Sequence, residues 1–175
     1  MAGEPLRDPT RWDAVARLIE LGAPTAERRF AEQARRDTTA DGRRRAFIAE
    51  AGQPSAQVKR TYFTRYFADS TLNEEWASGS LGPFNALEQQ ALTFPYIGPA
   101  LDSLPYIQSH RRIFFLETWL AAFLRGQTGD TALRVVRSYL DAHPHLPLDL
   151  RRKVLQHMDE LERTVLIRSE SGTSP

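Results

Sequence analysis

The chain has 175 residues, is 41% hydrophobic and 10% aromatic, and contains no cysteine. That apolar content builds a packed core and excludes a disordered tail. The missing thiols exclude disulfides, thiolate metal sites and a cysteine nucleophile, and fit a reducing, cytoplasmic setting. Lys and Arg number 23 against 22 for Asp and Glu, a net charge of +1 with no global pull toward nucleic acid or an anionic membrane.

In chain order, the polar start from Met1 to Asp8 has no apolar signal core. Asp8 with Pro9 predicts a helix start, Trp12, Val15, Ile19 and Leu21 give it an apolar face, and Gly22 ends it. Thr25 is the expected cap of a second helix with Phe30, Ala31 and Ala34 inward, and Thr38 or Thr39 that of a third, which buries Ala46, Phe47 and Ala51. The string Gly22-Ala23-Pro24-Thr25-Ala26 returns thirty positions later as Gly52-Gln53-Pro54-Ser55-Ala56. Gly tolerates the left-handed residue after a helix, Pro stops continuation, and Thr or Ser caps the next helix. The repeat therefore predicts stacked helical hairpins, an α-solenoid of the HEAT or armadillo kind.

Ser55 is the expected cap of a fourth helix carrying Val58, Tyr62, Phe63, Tyr66 and Phe67. Asn73 should cap a fifth, which Gly79, Gly82 and Pro83 end. Pro95, Pro99 and Pro105 keep the next helices short. Ile107 to Arg125 reads as one central helix, with Ile113, Phe114, Leu116, Trp119, Leu120 and Phe123 spanning a wide apolar face. Arg112, Glu117 and Arg125 interrupt it, so it cannot cross a bilayer. Asp130 is the expected cap of a helix with Leu133, Val136, Tyr139 and Leu140 inward. After Pro144 and Pro147, a last helix carries Leu150, Val154, Leu155, Met158, Leu161 and Val165. No strand signal has a partner, and the reading is an all-α fold: one helical-repeat domain over 1–168 and a polar tail over 169–175.

Chemistry-bearing motifs are sparse. The chain contains no H-E-x-x-H zinc motif, no G-x-S-x-G elbow and no phosphate-binding glycine loop. His143-Pro144-His145 with Asp149 is the nearest approach to a metal site, and it reads as a solvated turn, so no metal ligand or catalytic residue is assigned. Glu74-Glu75 reads as charge at a helix N-terminus. The runs Arg28-Arg29, Arg35-Arg36 and Arg43-Arg44-Arg45 are interleaved with Glu27, Glu32, Asp37, Asp41 and Glu50. They read as mixed-charge helix faces, with nucleic-acid binding the weaker alternative.

The order Asp37-Thr38-Thr39-Ala40-Asp41-Gly42-Arg43, then Gln53-Pro54-Ser55-Ala56-Gln57-Val58-Lys59, resembles a D-x-[ST]-x-x-G-R … x-P-x-A-x-x-K pattern of the C-terminal helical domain of zinc aminopeptidases of the aminopeptidase N superfamily, the domain shared with the endoplasmic reticulum aminopeptidases. The stretch from Glu75-Trp76 through Phe84-Asn85 to Tyr96-Ile97-Gly98-Pro99, the run Arg112-Ile113-Phe114-Phe115, and the ending from Asp149-Leu150-Arg151-Arg152-Lys153 resemble a bacterial branch of that domain. The resemblance implies a bowl of helical hairpins over the zinc site of a separate catalytic domain, supplied in cis or in trans, and a role in peptide access. Zinc and peptide hydrolysis would belong to that other domain, since its G-x-M-E-N and H-E-x-x-H motifs do not occur here. The chain then looks like a fragment or separately encoded piece of such an enzyme, with no cofactor of its own. Within the bowl, Gly82, Pro83 and the amide side chains make Phe84, Asn85 and Gln89 the candidate substrate or partner face; the other role for Asn85 is to cap the following helix. The rival from another class is a freestanding helical-repeat scaffold that binds a protein partner.

Overall fold

A computed structural model describes residues 7–69 and 71–171, the side chains of 170 and 171 excepted. The described residues are all-helical, with no strand. They form two compact units, divided between Leu92 and Thr93.

The first unit holds α1 (Asp8–Glu20), α2 (Ala26–Arg36), α3 (Ala40–Ala51), α4 (Ala56–Ala68) and α5 (Glu74–Phe84), followed by a 3-10 turn at Leu87–Gln89. Trp12, Val15 and Ile19 recur at helical spacing and bury one face of α1 against Ala26 and Ala49. Packed around them are Phe30, Ala34 and Ala46, half-buried rather than buried. The α3 helix packs on both α1 and α5. Gly79 lets α5 come close to α3, because a Cβ there would lie 2.7 Å from Ile48 Cδ1. That packing overturns Gly79 and Gly82 as helix stops: α5 runs through both and through Pro83, whose missing N–H falls in the last turn.

The N-caps divide into two groups. Thr39, Ser55 and Asn73 accept from the backbone N–H of Gly42, Val58 and Glu75, as their spacing predicts. Asp8, Thr25 and Asp130 do not cap. Arg7 and Gly129 take the extended boundary position ahead of Asp8 and Asp130, and Thr25 is already helical at φ −94°, ψ −5°. The Asp8 carboxylate instead accepts from Gln33 and Arg36, tying α1 to α2, and Asp130 pairs with Arg134.

The two repeated strings also differ. Gly22 is left-handed at φ 62°, with its N–H on Ile19 O and the Ala23 N–H on Leu18 O, the paired bonds of a Schellman turn. Gly52 is right-handed at φ −75°, the C-cap of α3. Gly22→Ala is therefore expected to lower stability by about 1–2 kcal/mol, because only a residue without Cβ adopts that conformation freely. Gly82→Ala, in a helix with nothing within 4 Å of the added methyl, is expected to raise it by up to about 1 kcal/mol. Urea unfolding of the two variants checks the pair; equal shifts would contradict it.

A short helix α6 (Gln90–Thr93) leads to the second unit, which holds α7 (Ile97–Asp102), α8 (Leu104–His110), α9 (Ile113–Arg125), α10 (Asp130–Ala142) and α11 (Leu148–Ser171). Here α9 packs on α11 and α7, and α10 on α11 and α7. The single helix expected over Ile107 to Arg125 is instead two. Arg111 and Arg112 are extended at ψ 161° and 156°, so the chain is redirected between α8 and α9. As a result Phe115 is buried, while Ile113 and Phe114 stand out at 66% and 80% exposure. Phe114 is thus not a core residue; Trp119, Leu120 and Phe123 are. The inward set of α10 is buried as its spacing predicts, and on α11 Leu155 is exposed while His157 is buried. Helix α11 continues through 169–171 of the expected tail; 172–175 and the opening 1–6 lie outside the described residues. No described helix is long and apolar enough to cross a membrane.

Candidate functional site

Both halves of the D-x-[ST]-x-x-G-R … x-P-x-A-x-x-K pattern lie in the first unit, and each builds a polar junction. At the first, Asp37 ends α2. Its Oδ1 accepts from the Thr39 hydroxyl at 2.6 Å and the Thr39 N–H at 3.3 Å, and its Oδ2 from the Trp12 indole at 3.0 Å. The Thr39 hydroxyl then caps α3 at Gly42 N, 3.0 Å away, and Arg43 donates to Thr38 O at 2.7 Å. A Cβ on Gly42 would fall 2.4 Å from Asp37 O, so no other residue fits there without moving the turn. The bonds from Thr39 and Trp12 hold the Asp37 carboxyl below its usual range, fixing it as a charged acceptor.

The second junction gathers helix C-termini. Lys59 lies one turn before Tyr62 on the inner face of α4 and has no exposed surface. Its Nζ donates to Ala51 O, in the last turn of α3, at 2.8 Å and sits 5.1 Å from the centre of the Phe84 ring. Gln89 Nε2 bridges Glu20 O at 2.8 Å and Gly52 O at 2.6 Å, joining the ends of α1 and α3. Lys59 and Gln89 thus meet backbone carbonyls that a helix leaves unpaired at its C-terminus. Burial pushes its amine down to about 7, against the pull of Glu20.

Phe84, Asn85 and Gln89 are all buried. Phe84 packs edge-on against Tyr66 at 5.9 Å, and Asn85 ends α5 by donating from Nδ2 to Leu81 O at 3.1 Å. Asn85 therefore closes the preceding helix and does not cap the following one, and the stretch from Leu81 is helix rather than turn. The structure brings Phe84 and Gln89 to the carbonyl junction, and none of the three presents its side chain to solvent. Lys59, quoted in the sequence only as the lysine of the pattern, is the member whose buried role sequence reasoning missed. The signal was present: Lys59, Tyr62 and Tyr66 follow i, i+3, i+7, and a lysine in an otherwise apolar stripe is a buried amine.

The two G-x-P-[ST]-A turns meet in space. Together they line an open cleft of about 570 Å³, with Ile19 and Phe30 at its apolar wall and Glu27 also in its lining. Pro54 Cγ lies 3.4 Å from where a Gly22 Cβ would be, so the turn without a side chain receives the proline of the other.

In the second unit, His157 lies buried between two carboxylates, Nε2 3.2 Å from Glu117 Oε2 and Nδ1 3.7 Å from Glu160 Oε2. Lys153 pairs with Glu117, and Arg125 with Glu160 at 2.5 Å. Desolvation lowers the His157 pKa despite Glu160, so the ring links α9 to α11 as a neutral group. The Nδ1 of His143 lies 2.8 Å from Tyr139 O, and its ring packs on Tyr139. Among the described residues, no group of three or more His, Asp or Glu side chains is placed to hold a metal ion. The N-terminal arginine runs are laced with acids: Arg28 and Arg29 pair with Glu32, Arg36 with Asp8, and Arg44 and Arg45 with Asp41. No protein-family model matches the chain, and no curated protein matches its sequence.

Proposed function

We propose that this chain is a non-catalytic helical domain that completes a zinc aminopeptidase of the aminopeptidase N superfamily, covering a separate catalytic domain and restricting peptide access to it. The observation that carries the reading is the junction pair. The residues of the D-x-[ST]-x-x-G-R … x-P-x-A-x-x-K resemblance are the ones whose chemistry the fold uses. Asp37, Thr39, Gly42 and Arg43 lock one helical turn, and Lys59 of the second half fastens the end of α3, beside Ser55, which caps α4 from an open position of the pattern. A sequence pattern with a packing reason at each of these positions supports common architecture more than a chance string does.

On this reading zinc and the water-activating carboxylate reside in the catalytic domain, and the chain's own contribution is shape. The partner is the product of a neighbouring coding sequence with H-E-x-x-H, or the same polypeptide beyond this segment. Co-expression with that product is expected to give a stable complex on size exclusion, with altered peptide-length preference. Independent elution and unchanged cleavage of a peptide ladder would contradict the proposal.

A further inference from the structure

Helix α11 has two faces. Leu150, Val154, His157 and Leu161 recur at helical spacing and are buried, and the helix packs on α9 and α10. On the opposite side, Leu155, Asp159, Arg163 and Leu166 also recur at helical spacing, and all four are exposed. Leu166 and the adjacent Ile167 reach 56% and 63% exposure. Apolar residues bracketing one charge of each sign make this stripe a seam for another helix.

The two charges are not consumed within the fold. Among the described residues neither Asp159 nor Arg163 forms a salt bridge; Arg163 adds to the field at Glu160, whose carboxylate is bonded to Arg125. Glu162, beside the stripe, is held by Arg137. The order apolar, acid, base, apolar is complementary to its own reverse. A second copy running antiparallel, about a two-fold axis near Leu161, sets the Asp159 of each copy against the Arg163 of the other. The same axis brings the Leu155 of each to the Leu166–Ile167 end of the other. A parallel pair would oppose Asp159 to Asp159 and Arg163 to Arg163, which like-charge repulsion disfavours. The chain's net charge of +1 puts no overall repulsion in the way of self-association.

We propose that two copies of the chain pair through α11, antiparallel, over residues 155–167. The inference does not rest on the aminopeptidase reading. The overlap is about 18 Å of helix and buries less than the roughly 1,200 Å² at the lower end of stable interfaces, so the dimer is weak and forms at high concentration. The apolar ends supply the burial. The ion pairs, exposed at the surface, add little affinity and fix direction and register.

The test is sedimentation equilibrium of the full chain at concentrations up to about 0.5 mM, where a monomer–dimer equilibrium is expected. Asp159→Arg and Arg163→Asp are each expected to weaken the dimer at least fivefold, and the double variant D159R/R163D to restore it. Both positions are exposed, so each variant is expected to keep the wild-type circular dichroism spectrum. Register is read by disulfide trapping, since the chain has no cysteine of its own. L155C mixed with I167C is expected to give a linked dimer on mild oxidation, and neither variant alone. In the antiparallel pair the two copies of either position lie about 18 Å apart, beyond the roughly 7 Å that a disulfide spans. A monomer at about 0.5 mM overturns the proposal. So does a dimer that either single charge reversal leaves intact, a D159R/R163D variant that stays monomeric, or cross-linking of L155C on its own.

Discussion

Trp119→Ala is expected to be the most damaging single substitution, lowering unfolding free energy by about 3–5 kcal/mol. Trp119 is fully buried at the middle of α9, its ring 4.6 Å from Phe123 and 5.9 Å from Phe115. Its indole N–H donates to Ala100 O at 3.0 Å, fastening α9 to α7. Alanine would leave a cavity and remove one of the bonds that Ala100 O accepts, leaving the one from the Ser103 hydroxyl. Phe114→Ala, five residues earlier on the same helix, is expected to change stability by less than about 0.5 kcal/mol, because its ring is in solvent. Thermal or urea unfolding of the two variants gives the contrast directly. Similar losses would mean that the break at Arg111 and Arg112 is absent in solution.

Lys59→Met is expected to act in the opposite direction, with an effect that depends on pH. In the unfolded chain the amine titrates near its ordinary value of 10.5, and in the fold burial brings it to about 7. Between those values the unfolded state binds a proton that the folded state lacks, so wild-type stability rises with pH from about 7 to about 10. Below about 7 both states are charged and the burial cost is present in full. Methionine has similar volume and no charge, so at pH 6 the variant is expected to be more stable by about 1–4 kcal/mol. At pH 10 that gain disappears, because the wild-type amine is then neutral and still bonds Ala51 O, which methionine leaves unpaired. Denaturant midpoints from pH 6 to pH 10 should therefore converge. A parallel offset at every pH would show that Lys59 is not a buried amine.

Much of this fold was legible in the sequence because helix signals are local. Thr39, Ser55 and Asn73 each cap a helix through a neighbour two or three residues away, and Gly22 ends one through its own backbone conformation. The misread positions are those where distant contacts decide. Asp8 has the residue type of a cap, but Gln33 and Arg36 claim it from 25 and 28 positions away. Gly79 looked like a stop and is a contact point for Ile48. The α8–α9 break has no glycine or proline at Arg111 and Arg112, so periodicity ran through it and placed Phe114 inside. The candidate face failed to reach solvent for a related reason: amides between helices look available, yet Asn85 and Gln89 are consumed by backbone carbonyls that sequence cannot locate. The buried role of Lys59 had a periodic signature, but it depended on where α3 ends.

The central claim, that the chain supplies packing and shape while a separate domain supplies the chemistry, is tested most directly by turnover. The purified chain is stripped with chelator, zinc is re-added, and hydrolysis of aminoacyl-anilide substrates is followed with and without an H-E-x-x-H catalytic domain of the proposed kind. The account predicts no hydrolysis by the chain alone, no stoichiometric zinc on it, and a changed rate or substrate range for the catalytic domain when the chain is present. Zinc-dependent, chelator-sensitive cleavage by the chain alone at enzyme-like rates would contradict it.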